Sequence, residues 1–257
     1  MSGNSKIITL ANQKGGVGKT TTAVNLAAGL AASEVPTLLV DIDPQANATS
    51  GVGVEVNTIQ RSIYDVLTNN TTLDATIVGT QLEHLDLVPS SHRLVGAEVE
   101  LVGMLAREHI LRKALTEMTH HYDYIFIDCP PSLGLLTVNG LTAANSVLIP
   151  IQCEYYALEG LSQLLNTIRL IQRQLNRDLE IEGVLITMYD SRLNLSKQVA
   201  EEVRAYFGEK VYHTAIMRNV RLSESPSYGK PIILYDASSM GSQNYMALAA
   251  EVLERNG

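Results

Sequence analysis

Gln13-Lys14-Gly15-Gly16-Val17-Gly18-Lys19-Thr20-Thr21 divides two segments of contrasting pattern. Before it runs Ile7-Ile8-Thr9-Leu10-Ala11, the profile of a buried strand; after it, residues 22–30 carry apolar side chains at helical spacing. Strand, glycine-rich turn, helix is the architecture of a phosphate-binding loop. Glycines let backbone N–H groups converge on an anion, and the positive end of the next helix dipole faces the same point. On this reading Gly15, Gly16, Val17, Gly18, Thr20 and Thr21 line a nucleotide. Lys19 supplies a mobile charge to the β- and γ-phosphates, and the Thr20 hydroxyl a ligand to Mg²⁺. The usual G-x-x-x-x-G-K-[ST] pattern is not met: its first glycine falls on Gln13, and Lys14 follows. A second lysine beside a polyphosphate already served by Lys19 either adds charge in its own loop or points outward.

At 257 residues, with 46% hydrophobic content, the chain has ample material for a core. No run of 18 apolar residues and no basic–apolar leader stands out, so a soluble, unexported, cytoplasmic protein is expected. Cys129 and Cys153 adjoin strand-like runs and read as small buried thiols of a reducing compartment. The net charge of −8 does not advertise nucleic-acid binding, but its distribution is uneven. Residues 1–168 hold 8 Lys/Arg against 16 Asp/Glu, whereas residues 169–230 hold 10 against 8. Only that third quarter can build a basic face.

Thr37-Leu38-Leu39-Val40-Asp41-Ile42-Asp43-Pro44 reads as a strand ending in two carboxylates. Residues two apart on a strand point the same way, so Asp41 and Asp43 both lean toward the ligand crevice at the carboxyl edge. Asp43 is the candidate for orienting the attacking water, with Asp41 nearer the metal or Lys19. Residues 45–51 are small and polar, suited to a switch-like loop. Residues 63–67 suggest a helical turn, 85–89 a short strand, and the spacing over residues 94–118 predicts one long helix. Tyr122-Asp123-Tyr124-Ile125-Phe126-Ile127-Asp128-Cys129-Pro130-Pro131 is a strand ending in Asp, the second metal position of a P-loop ATPase. Segments 135–144, 146–151, 157–175 and 181–188 continue the β-α alternation of a wound sheet. The expected fold class is α/β: one domain over 1–257, with a mostly parallel β-sheet flanked by helices. Later segments predict a helix over 196–207, a strand over 211–216, a turn into an apolar segment at 229–233 and a closing helix over 246–255.

Lys14-Gly-Gly-Val-Gly-Lys-Thr, Asp41-Ile-Asp-Pro-Gln, Asp128-Cys-Pro-Pro-Ser-Leu-Gly, Gln152-Cys-Glu-Tyr-Tyr-Ala-Leu-Glu-Gly and Arg218-Asn-Val-Arg-Leu-Ser-Glu-Ser-Pro-Ser together resemble the small ParA/Soj-type partition ATPases, over essentially the whole chain. The resemblance implies an ATP- and Mg²⁺-dependent homodimer that binds double-stranded DNA without sequence preference and is nucleoid-associated. A ParB/Spo0J-type centromere-binding partner stimulates its slow hydrolysis and releases it, and a replication initiator stands as a further partner. It also implies that Lys14 contacts nucleotide in the opposite subunit and that Asp43 positions the water. Arg192 and Arg221, with Arg218 beside them, would carry DNA binding. The adenine pocket falls on Met217-Arg218-Asn219, where Met217 replaces the family's proline, with Met217 and Asn219 as nucleotide contacts.

Two or three loop arginines make a poor DNA site alone, but dimerisation doubles the phosphate contacts and the salt-dependent affinity climbs with their number. A MinD-like membrane-associated positioning ATPase is the first alternative. It calls for a basic amphipathic tail, yet Glu251 and Glu254 face a lone Arg255, so no membrane partner is expected. A nucleotide-gated regulator of a replication or transcription factor is the second. No helix-turn-helix region precedes Lys6, which argues against operator binding.

Overall fold

A computed structural model describes residues 5–154 and 157–257. Tyr155 and Tyr156 of the Gln152 motif, and the side chains of residues 157–160, lie outside that description. The chain opens with β1 (Lys6–Leu10), α1 (Lys19–Ala31), β2 (Thr37–Asp41), α2 (Asn47–Gly51) and α3 (Ile63–Leu67). Then come β3 (Val78–Gly79), β4 (Leu85–Val88), α4 (Leu94–Leu101), α5 (Ile110–Glu117), β5 (Tyr124–Asp128) and α6 (Leu135–Ala143). β6 (Ser146–Gln152), α7 (Ala157–Gln174), β7 (Glu180–Thr187), α8 (Asn194–Phe207), α9 (Val220–Glu224), α10 (Ile232–Tyr235) and α11 (Met240–Asn256) complete it.

The strands form one sheet in the order β3-β4-β2-β5-β1-β6-β7, parallel throughout except for the short β3. The predicted α/β class and mostly parallel sheet are therefore observed. Alternation along each strand feeds both faces. Ile8, Leu10 and Phe126 pack with α1 and α11 on one side, while Ile125 and Ile127 pack with α3 to α6 on the other. The chain leaves β1 toward β2 on one side and β5 toward β6 on the other. The loop after β1 thus emerges at the point where the winding reverses, where open α/β sheets bind ligands.

Two expected elements differ. Residues 94–118 form two helices, because the chain turns at Gly103 and Ala106, the latter at φ 51°. Their common periodicity misleads because Val95, Val99, Val102 and Leu105 are 62–97% exposed rather than buried against the sheet. Residues 211–216 make only isolated parallel bridging contacts along β7, at Val184–Val211, with Tyr189–Met217 just beyond. The N–H groups of His213 and Thr214 turn instead to the Glu251 carboxylate, at 2.8 and 2.9 Å. Cys129 and Cys153 are buried free thiols.

Candidate functional site

The glycine-rich turn has the backbone its sequence demands. Gly16 and Gly18 hold φ of 73° and 87°, a region costly for residues with a Cβ, and α1 begins immediately at Lys19. Asn12 shapes the entry, its Oδ1 accepting the Lys14 N–H at 3.0 Å and its Nδ2 donating to the Pro150 carbonyl at 2.7 Å. From the far side, Thr187 at the end of β7 donates its hydroxyl to the Val17 carbonyl at 2.8 Å. Lys19 is buried, and its ammonium folds back on the loop to donate to the Lys14 carbonyl at 3.2 Å. Burial lowers its pKa, opposed by the neighbouring Asp128 and Asp43 carboxyl groups.

Register pairing puts Asp41 and Asp128 side by side at the carboxyl ends of β2 and β5. Their surroundings differ. Asp41 is fully engaged: Oδ2 accepts from the Thr49 N–H and hydroxyl at 2.8 and 2.7 Å, and Oδ1 from the Asp43 N–H at 3.1 Å. Burial pushes its carboxyl up to about 6 despite those bonds. Asp128 is as deeply buried, yet neither carboxylate oxygen has a hydrogen-bond partner of good geometry. Burial and the neighbouring Asp41 charge drive its pKa well above the carboxylate range; the nearby Thr20 hydroxyl and Lys19 pull the other way.

An orphaned buried carboxylate is costly, and such groups normally find a partner or a cation. Two free hard oxygens beside a threonine hydroxyl suit a hydrated Mg²⁺, which prefers a few protein oxygens plus water and phosphate. Asp128 and Thr20 fit that ion; the oxygens of Asp41 are already committed to the loop after β2.

Asp43 accepts the Gln45 N–H at 2.9 Å, and its carbonyl takes the Ser90 hydroxyl at 2.6 Å. Ser90 N–H in turn donates to the Thr49 hydroxyl at 2.9 Å, closing a buried circuit Asp41–Thr49–Ser90–Asp43. Thr49 and Ser90 were not legible as site residues, since 41 positions separate them. Ala46, at φ 53°, holds the same loop in a strained turn. Lys14 turns away from its own loop: its ammonium sits 2.8 Å from Glu154, whose other oxygen accepts the Gln152 amide at 2.6 Å.

The remaining candidates lie along the end of β7. The bridge from Tyr189 to Met217, with the Arg218 N–H donating to the Tyr189 carbonyl at 3.0 Å, sets residues 190–193 beside 217–221. The Met217 N–H donates to Asn244 Oδ1 at 3.1 Å, and Asn219 Oδ1 caps α9 by accepting the Arg221 N–H at 2.8 Å. Arg192, Arg218 and Arg221 are exposed. Arg192 and Arg218 thus lie on neighbouring loops, with Arg221 following in α9, all outside the buried Lys19–Asp128 site.

A family model described as an AAA domain matches residues 5–181. The sporulation initiation inhibitor protein Soj of Bacillus subtilis is 60% identical over 247 residues, covering 96% of this chain and 98% of that protein. The chain belongs to the ParA/Soj/MinD family of P-loop ATPases. The chromosome partitioning protein ParA of Myxococcus xanthus is similar to this partition-type chain at 57% identity over 98% of this chain and 89% of that protein. Among solved structures, the cobyrinic acid a,c-diamide synthase of Mycobacterium smegmatis with bound ADP and magnesium superposes at a TM-score of 0.86. It shares 36% identity over 98% of this chain and 95% of that one. Membership of this partitioning and positioning family implies ATP binding, hydrolase activity and use of Mg²⁺. Among the described residues no helix is long and apolar enough to cross a membrane.

Proposed function

We propose that the protein is a slow Mg²⁺-dependent ATPase of chromosome or plasmid segregation. Its ATP-sandwich dimer binds double-stranded DNA without sequence preference and is released when a ParB/Spo0J-type partner stimulates hydrolysis. The observation that carries the reading is the convergence of Lys19, Thr20 and the partnerless Asp128 at the start of α1, beside Asp43. Loop N–H groups and Lys19 hold the phosphates, and Thr20 and Asp128 would hold magnesium. The ion, when bound, spreads charge developing on the phosphoryl oxygens. Asp43, fixed through its backbone by Ser90, orients the attacking water. Lys14, already turned off its own loop, reaches the partner's phosphates. Met217 and Asn219 flank the base, and Arg192, Arg218 and Arg221 meet the duplex.

Two substitutions test this. Lys19→Ala is expected to abolish nucleotide binding in a fluorescent-ATP titration. Asp43→Ala is expected to retain binding while hydrolysis falls about 100-fold or more, the scale of a lost general-base group. An Asp43→Ala protein that turns over ATP at the unmutated rate removes the water-orienting role.

A further inference from the structure

The exposed arginines of the candidate DNA face are matched by acids of the same chain. Asp190 accepts Arg192 Nε on one oxygen at 2.9 Å and a terminal guanidinium nitrogen on the other at 2.7 Å, a two-pronged pair. Arg218, alongside, also lends its charge to Asp190, whose carboxyl is held down at about 2, chiefly by Arg192. Arg221 is 2.9 Å from Glu224 and 3.5 Å from Asp236. The three guanidinium groups therefore stand among three carboxylates. Leu193 and Val220, both exposed, lie beside them in sequence.

We propose that Asp190, seconded by Glu224, is a built-in competitor for the duplex, occupying the guanidinium edge that a DNA phosphate needs. The inference rests on the reading of this face as DNA-binding. A carboxylate and a phosphate present the same pair of oxygens to an arginine fork, so one exchanges for the other. An exposed ion pair is weak, so the exchange is easy for a duplex contacted by two subunits at once. It still dilutes the electrostatic gain. When phosphate displaces Asp190, the DNA releases a counterion but the freed carboxylate gathers one, and the net release that drives binding shrinks. A lone subunit then presents guanidinium groups already offset by carboxylates, and pairing two subunits doubles the phosphate contacts that displace those acids.

Asp190→Asn isolates this effect. Oδ1 also accepts the Arg192 N–H at 3.0 Å, a local turn that asparagine preserves while losing the charge. The experiment titrates a mixed-sequence duplex by fluorescence anisotropy across a KCl series, with the protein loaded with a non-hydrolysable ATP analogue. Asp190→Asn is expected to bind about threefold tighter per subunit, about tenfold per dimer, at low salt. The salt slope should steepen by about two per dimer. Asp190→Glu, which keeps the charge, should stay near the unmutated curve, and Glu224→Gln should shift in the same direction as Asp190→Asn. Arg192→Glu should lose binding. If Arg192→Glu loses binding while Asp190→Asn leaves affinity and slope unchanged or weakens them, the carboxylate is a support for Arg192 and the competitor role is overturned. If Arg192→Glu binds like the unmutated protein, the DNA reading of this face falls, and the inference with it.

Discussion

Lys19 and Asp128 share a buried interior in which the carboxylate finds no well-aligned hydrogen bond, only the nearby Thr20 hydroxyl. A native protein tolerates such a group when something else completes it. Asp128→Asn is therefore expected to leave the ligand-free fold about as stable as before, because burial already favours the uncharged carboxyl and the amide is uncharged too. The same variant should lose the extra stabilisation that Mg²⁺ adds to the ATP-loaded protein. Thermal melts with ATP, with and without Mg²⁺, check both; an unchanged magnesium response removes Asp128 from the ion's ligands. At this scale much was legible. Gly16 and Gly18 announce positive φ, and acids ending apolar strands announce a crevice. Ser90 and Thr187 carried no such signal, and Thr49 and Glu154 stood only as members of a switch-like loop and a family motif, because an isolated hydroxyl or carboxylate gains meaning only when folding supplies its neighbour.

Elements were readable where one face is buried and ambiguous where it is not. The stretch 94–118 has helical spacing throughout, but its first half exposes the apolar stripe that periodicity assigns to the core. The edge segment after α8 looked like a strand, and Glu251 of α11, far along the chain, diverts its N–H groups. A comparable long-range tie fixes the entry to β5. Asp74 accepts the N–H groups of Thr119 and His120, the Thr119 hydroxyl and the His120 ring. Desolvation alone would raise the Asp74 carboxyl, yet these bonds outweigh it and carry it down to about 2. A depressed carboxyl contributes stability above its ordinary value near 3.8 that is lost as pH falls through about 2. Asp74→Asn should therefore lower the urea midpoint at pH 6 and converge with the unmutated protein near pH 2. Parallel curves across that range would contradict the tie.

For the whole molecule, the alternation of strands and helices foretold a wound parallel sheet, whereas the strand order and the antiparallel β3 were not legible. Residues 55–92 lack periodicity because their strands are short, and pairing of β4 with β2 and of β3 with β4 defines them more than pattern does. The sandwich-dimer reading has its own test at this scale. Light scattering should give a single subunit with ADP and a pair with ATP, and duplex should bind the pair far more tightly than the single subunit, with a salt slope about twice as steep. An ATP-loaded single subunit that grips duplex as tightly as the pair would overturn it.

The Thr187 hydroxyl that grips the Val17 carbonyl ends the very strand whose continuation carries Asp190 and Arg192. Asp190 stands three positions beyond the tether, and between them the chain leaves extended geometry at Met188, whose φ is 50°. A shift of the glycine turn thus needs no relay of helices to be felt outside: one short, bent segment joins the tether to the loop that carries Asp190 and Arg192.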